Sequence, residues 1–104
     1  MATNDIAGMQ AAVSVLQSKW SVAILAELAD GTHRFNELPR HIDGISRRML
    51  SATLRKLEQD GLIERRVYAD VPVRVEYDLT PAGEELFAAL GPLAGWGAQY
   101  RLAA

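Results

Sequence analysis

The stretch from Ser46 to Thr80 constrains this chain most. It runs from a serine able to cap a helix, through leucines at helical spacing, to a glycine stop and two short strand-like runs around Asp-Val-Pro. The Ser46 oxygen can accept from a free backbone N–H of the first turn. Leu50, Leu54 and Leu57 follow at i, i+4 and i+7 and so share one face. At about 100° per residue, Arg48, Ala52, Arg55 and Gln59 fall roughly opposite that stripe, with Arg47, Ser51 and Lys56 on its flanks. The spacing predicts a helix over about residues 46–60, apolar inward and cationic outward. Gly61 stands where a left-handed residue commonly ends a helix. Glu58 and Asp60 oppose the dipole at that end, so the basic character belongs to the first turns.

Both flanks of this helix carry matching signals. Upstream, Asn36 is a plausible cap and Pro39 falls in the first turn of a short helix, where no intrahelical donor is lost. Asp43-Gly44 breaks it, and Ile45 can fill the angle before the next helix. Downstream, Leu62 to Tyr68 is strand-like, and Arg74 to Leu79 alternates, with Val75, Tyr77 and Leu79 on one face. Pro72 keeps the tip between them from extending a sheet. Arg65, Arg66 and Arg74 lie along this hairpin. Short helix, turn, longer helix and hairpin, in that order, describe a helix-turn-helix with a β wing. The expected fold is mainly α with a small β-hairpin, and nucleic acid is the first partner to consider.

Five runs carry a family resemblance: Ser18-Lys19-Trp20-Ser21, Arg34 to Leu38, Gly44-Ile45-Ser46, Leu54 to Leu62, and Val71 to Thr80. In this order and spacing, across about residues 13–97, the chain resembles the HxlR-type winged-helix regulators, relatives of the MarR group. The resemblance implies a homodimeric bacterial transcription factor that binds an operator of dyad symmetry. In one respect the chain departs from it. Many such regulators carry an N-terminal cysteine used as a thiol switch, whereas this sequence has no cysteine at all. Thiol-based sensing is therefore excluded, as are disulfides and thiolate-bound zinc or iron–sulfur centres.

A length of 104 residues with 49% apolar content supports one domain and one core. No apolar stretch approaches the roughly 20 residues of a membrane span, and no signal sequence opens the chain, so a cytoplasmic location is expected. The net charge of −2 looks unpromising for a DNA binder, with 11 basic against 13 acidic residues. Distribution matters more than the sum. From Thr32 to Lys56 there are six Arg or Lys against two acids, Glu37 and Asp43, whereas the C-terminal segment holds Glu84 and Glu85 against Arg101.

The remaining segments read as scaffold and dimer contact. A helix within residues 4–17, starting from Asn4 or Asp5, places Ile6, Met9 and Val13 on one side. Residues 18–80 hold the helix-turn-helix and wing, including a helix from Ser18 to Ala29. Residues 81–104 begin with Thr80 as cap and Pro81 at the first helical position; Gly91-Pro92 is expected to bend or break this last helix. Leu90, Leu93, Trp96, Tyr100 and Leu102 are more apolar bulk than a tail leaves in water. Packing of these end helices against their counterparts in a symmetric dimer is expected, the alternative being a tail folded back on its own core.

The expected DNA-reading set is Arg47, Arg48, Ser51 and Arg55 in the major groove, with Arg48 reading a guanine. Lys19, Arg34, Ser46, Lys56, Arg66 and Arg74 complete the DNA-binding residues, with Arg74 on phosphate or in the minor groove. Trp20 is first a core aromatic; a small apolar effector lodged near it is a further expectation. His33, Glu37 and His41 fall at intervals of four, but a helix capped by Asn36 leaves His33 outside it, so no metal site is expected. No cofactor and no catalysis are expected either. Gly-rich phosphate loops, nucleophile elbows and HExxH runs are missing from the sequence. The rival class is a winged helix that only docks proteins or dimerises, which would favour aromatic and aliphatic anchors over arginines on the outer helix face.

Overall fold

A computed structural model describes residues 5–16 and 18–101. Helices α1 (Ile6–Val15) and α2 (Lys19–Ala29) come first, followed by a two-residue strand β1 (His33–Arg34). A 3-10 turn (Phe35–Glu37) then leads into the short α3 (Leu38–His41) and the longer α4 (Arg47–Gln59). Strands β2 (Ile63–Tyr68) and β3 (Arg74–Leu79) form the hairpin, and α5 (Pro81–Tyr100) ends the described chain. Asn4 and Leu102 lie outside the described residues.

Helix boundaries follow the expected side-chain chemistry. The carboxylate of Asp5 accepts from Gly8 N–H at 2.9 Å, and the hydroxyl of Ser46 from Met49 N–H at 3.0 Å. Ser18 and Thr80 cap α2 and α5 in the same way. At the far end of α4, Gly61 has φ +76°, Leu62 N–H reaches Leu57 O and Gly61 N–H reaches Glu58 O. These two bonds make a Schellman ending that satisfies carbonyls the helix itself leaves free.

The core is where the leucine stripe lands. Leu50, Leu54 and Leu57 of α4 are buried with Ile24, Leu25 and Leu28 of α2, Leu38, Ile42, Leu62, Ile63 and Tyr77. Trp20, Ile45, Val75, Leu79 and Phe87 pack around this cluster. Gly44, at φ +82°, lets the turn between α3 and α4 pass close to the end of the Trp20 ring, which would lie 3.9 Å from any added Cβ.

Three expectations change here. The hairpin is part of a three-stranded antiparallel sheet of order β1-β3-β2, in which His33 faces Tyr77 and Arg34 faces Glu76. Two residues carry no readable alternation, so β1 exists only through its pairing. Asn36 caps no helix; Glu37 reaches back instead, its carboxylate accepting from Arg34 N–H at 2.7 Å. Finally, Gly91-Pro92 does not end α5, which continues through Pro92 as one helix to Tyr100. Ala88 and Pro92 are both exposed, so water can bond the Ala88 carbonyl that the proline leaves without an N–H. Nor does the tail fold back, since Leu93, Trp96 and Tyr100 remain exposed.

Candidate nucleic-acid interface

Helix α4 carries its cations on the side away from the leucines. Arg47, Arg48, Ser51 and Arg55 are all exposed. Arg48 and Arg55 make no ion pair among the described residues, whereas Arg47 is held. Its guanidinium donates to Asn36 Oδ1 at 3.0 Å and lies over the Phe35 ring at 5.3 Å. The residue expected to cap α3 therefore braces an arginine at the start of α4 instead. Because the Ser46 hydroxyl is bonded to Met49 N–H, the amides of Arg47 and Arg48 are the ones left to meet an anion at this helix start.

The other expected cations differ in how free they are. Lys56 pairs with Asp60 and, with Ser14, Val15 and Ser18, lines a hollow on the α1–α2 side of α4. Arg66 is bound by Glu64 at 3.5 Å and Asp78 at 3.3 Å. The Tyr68 hydroxyl first, and then Glu64 and Asp78, hold its guanidinium charge still more firmly than usual. Arg74 lies over the Tyr68 ring at 4.2 Å, its Nε 3.4 Å from both Asp70 and Glu76 but hydrogen-bonded to neither. Lys19 is exposed at the start of α2, its ammonium 4.7 Å from the Trp20 ring centroid. Trp20 itself is part of the packing around the core.

Strand register explains which wing arginine is available. Cross-strand partners share a face of the sheet, so the pairs Arg66–Glu76, Tyr68–Arg74 and Glu64–Asp78 put Arg66 and Arg74 among carboxylates. The pairs Ile63–Leu79, Arg65–Tyr77 and Val67–Val75 make up the opposite face, which docks on the helices. Arg65 lies there and is unpaired among the described residues. With Ser51, Arg55 and Glu58 of α4, and with Val75, Tyr77 and Phe35, it lines a groove of about 460 Å³ between helix and hairpin. The expected DNA-binding residues omit Arg65, although its signal is in the sequence: it stands two residues from both Ile63 and Val67, on their side of the alternation.

A second groove, of about 690 Å³, lies between the 3-10 turn and the wing tip, with Arg34, Arg40 and Arg74 in its wall. Glu37 also lines it. The Arg34 amide above all, and then the charges of His33, Arg34 and Arg40, hold this carboxyl below its usual value, so it stays an anion among these cations.

The histidines depart from expectation. His33 and His41 are brought together, ring centroids 5.8 Å apart, because β1 and α3 both pack beside α2. Their acidic neighbour is Glu27 of α2, not Glu37.

Comparison with known proteins places this geometry in a family. The family model for the HxlR-like helix-turn-helix matches residues 15–103. The chain is 49% identical over 79 residues to YtfH of Escherichia coli, named as an uncharacterized HTH-type transcriptional regulator, an alignment covering 76% of this chain and 63% of that protein. The chain thus spans less than two thirds of that relative's length. Among solved structures, a transcriptional regulator described as of the MarR family, from Enterococcus faecalis, superposes with a TM-score of 0.87 at 40% identity, covering 97% of this chain and 92% of that one. The reduced form of the transcriptional regulator YodB from B. subtilis superposes with a TM-score of 0.81 at 38% identity, over 89% and 91% of the two chains. With its capped α4, its β-wing and this match over most of its length, the chain belongs to the HxlR-like helix-turn-helix family, as a member without cysteine.

Proposed function

We propose that this chain is a sequence-specific DNA-binding transcriptional regulator that holds a dyad-symmetric operator as a homodimer. The observation that carries this reading is the exposed side of α4, where Arg48, Ser51 and Arg55 are free of internal partners and Arg65 faces them across the groove from the wing. Arginines and a serine at the start of a protruding helix suit phosphates and base edges. A protein-docking face would present apolar anchors instead. In this reading α4 enters the major groove and the hairpin lies along the backbone or minor groove. No helix among the described residues is long and apolar enough to cross a membrane.

Support for the dimer comes from the end helices. Helix α1 has no buried residue, and Ile6, Met9 and Val13 stand 63%, 50% and 68% exposed at helical spacing. Along α5, Leu93, Trp96 and Tyr100 form a second exposed stripe, with Trp96 and Tyr100 stacked at 5.2 Å and Leu90 half-buried beside them. An isologous interface using both stripes would remove them from water. It would set the two α4 helices for half-sites about 34 Å apart, or a multiple of that.

The test is binding to the DNA upstream of the chain's own gene, against a scrambled duplex, over a salt series. If each subunit neutralises about 3–5 phosphates, log K should fall against log salt with a slope of about −5 to −9. Sedimentation at micromolar concentration should give a dimer. Equal affinity for scrambled DNA rejects sequence-specific reading, and a monomer rejects the two-subunit arrangement.

Within the wing, Arg65→Ala should weaken binding and reduce the salt slope by about one. Arg66→Ala and Arg74→Ala should do less, since carboxylates already engage those guanidiniums. The opposite ranking would mean that the carboxylate-bearing face of the hairpin meets the DNA.

A further inference from the structure

We propose that Glu27, His33 and His41 form a binding site for a divalent transition-metal ion of the zinc class. The three residues come from three elements, α2, β1 and α3, and one ligand atom from each lies within 4.8 Å of the other two. Glu27 Oε2 is 3.8 Å from His33 Nε2 and 3.7 Å from His41 Nδ1. Charge-assisted hydrogen bonds between such groups are about 2.7–2.9 Å long, so neither contact is one. Ligand atoms of a tetrahedral site built on zinc–nitrogen bonds of about 2.0–2.1 Å stand about 3.3 Å apart. The observed spacing is thus too wide for direct bonding and close to what an ion between the groups requires.

The tautomer of His33 points the same way. Its Nδ1 lies 2.9 Å from the carbonyl oxygen of Gly31. A carbonyl can only accept, so Nδ1 carries the proton and Nε2 of the neutral ring presents a lone pair toward Glu27. Two acceptors facing one another call for a cation between them. A backbone carbonyl on the outer nitrogen is also the usual way a ligating histidine is oriented. The site is partly enclosed, the side chains of His33 and Glu27 being 16% and 24% exposed, while His41 at 53% leaves one side open for loading and for a water ligand.

The donor set decides the class of ion. Two imidazole nitrogens and one carboxylate suit zinc, cobalt, nickel or copper, whereas calcium and magnesium require a shell of oxygens. An ion held here would tie α2 to α3, the first helix of the helix-turn-helix, and to β1, which pairs with the wing through β3. The inference is independent of DNA binding and is tested without DNA.

The experiment uses the full chain, stripped of metal with a chelator, titrated with zinc by calorimetry and with cobalt by visible absorption. One ion per chain, the visible bands of tetrahedral cobalt and a zinc-dependent rise in melting temperature are expected. Glu27→Gln and His41→Gln should each weaken zinc binding by more than tenfold and abolish the rise in melting temperature. His41 is exposed, so H41Q should retain the fold, with circular dichroism as the check. Failure to bind zinc stoichiometrically at micromolar concentration, or equal binding by wild type and H41Q, overturns the site.

Discussion

Replacing Arg48 with alanine is expected to cost about 1–3 kcal/mol of base discrimination at each half-site, or about 5- to 150-fold. Summed over both half-sites of a dimer, the loss is about 2–6 kcal/mol. Arg48 is exposed in the first turn of α4, nearly opposite the buried Leu50, and has no ion pair among the described residues. Its removal leaves no internal group unsatisfied, so melting should stay within about 0.5 kcal/mol of wild type. Anisotropy titrations at one salt concentration, on the operator and on single-base variants, read the ratio directly. If R48A preserves the preference among variants, Arg48 is not the base reader. Arg47→Ala makes a useful contrast, because it also frees Asn36 and uncovers Phe35 and should affect stability as well as binding.

Gly83→Ala should destabilise the fold by about 2–3 kcal/mol, even though alanine favours a helix over glycine by nearly 1 kcal/mol. Gly83 is buried in the first turn of α5, and a Cβ there would sit 2.1 Å from the carbonyl oxygen of Leu62. That contact is with backbone, which cannot rotate aside. The surroundings are equally fixed, since Thr80 N–H bonds to Leu62 O at 3.0 Å and the Thr80 hydroxyl donates to Gly61 O at 2.6 Å. Relieving the clash means prising α5 off the end of the Schellman turn. Chemical denaturation of G83A measures the effect, and Gly95→Ala is the control, because a Cβ there meets nothing within 4 Å. Equal or greater stability of G83A would show that α5 can shift at no cost.

Much of the fold was legible because it depends on local chemistry. The caps at Ser18, Ser46 and Thr80, the leucine stripe of α4, the stop at Gly61 and the alternation of β3 each follow from the spacing of a few neighbouring residues. Errors arose where a residue had two satisfactory partners and only the packed chain could choose between them. Asn36 could have capped a helix; with Phe35 folded beneath α4, it binds Arg47 instead. Pro92 had reason to break a helix, but its unbonded carbonyl faces water and the helix persists. The candidate interface shows the same division. The identities of Arg48, Ser51 and Arg55 came from helical phase alone, whereas the state of the wing arginines depended on which carboxylates lie across the hairpin.

The sequence by itself determined the order of elements, the inward and outward faces of α4 and the exclusion of thiol chemistry, because these depend on residue type and on periods of two and 3.6. Tertiary structure alone decided that Arg65 is free while Arg66 and Arg74 are bound, that Gly83 admits no side chain, and that Glu27 meets His33 and His41. Each of those outcomes joins residues distant along the chain. Distances between such residues are set by how helices and strands pack around the core, which spacing along the chain does not encode.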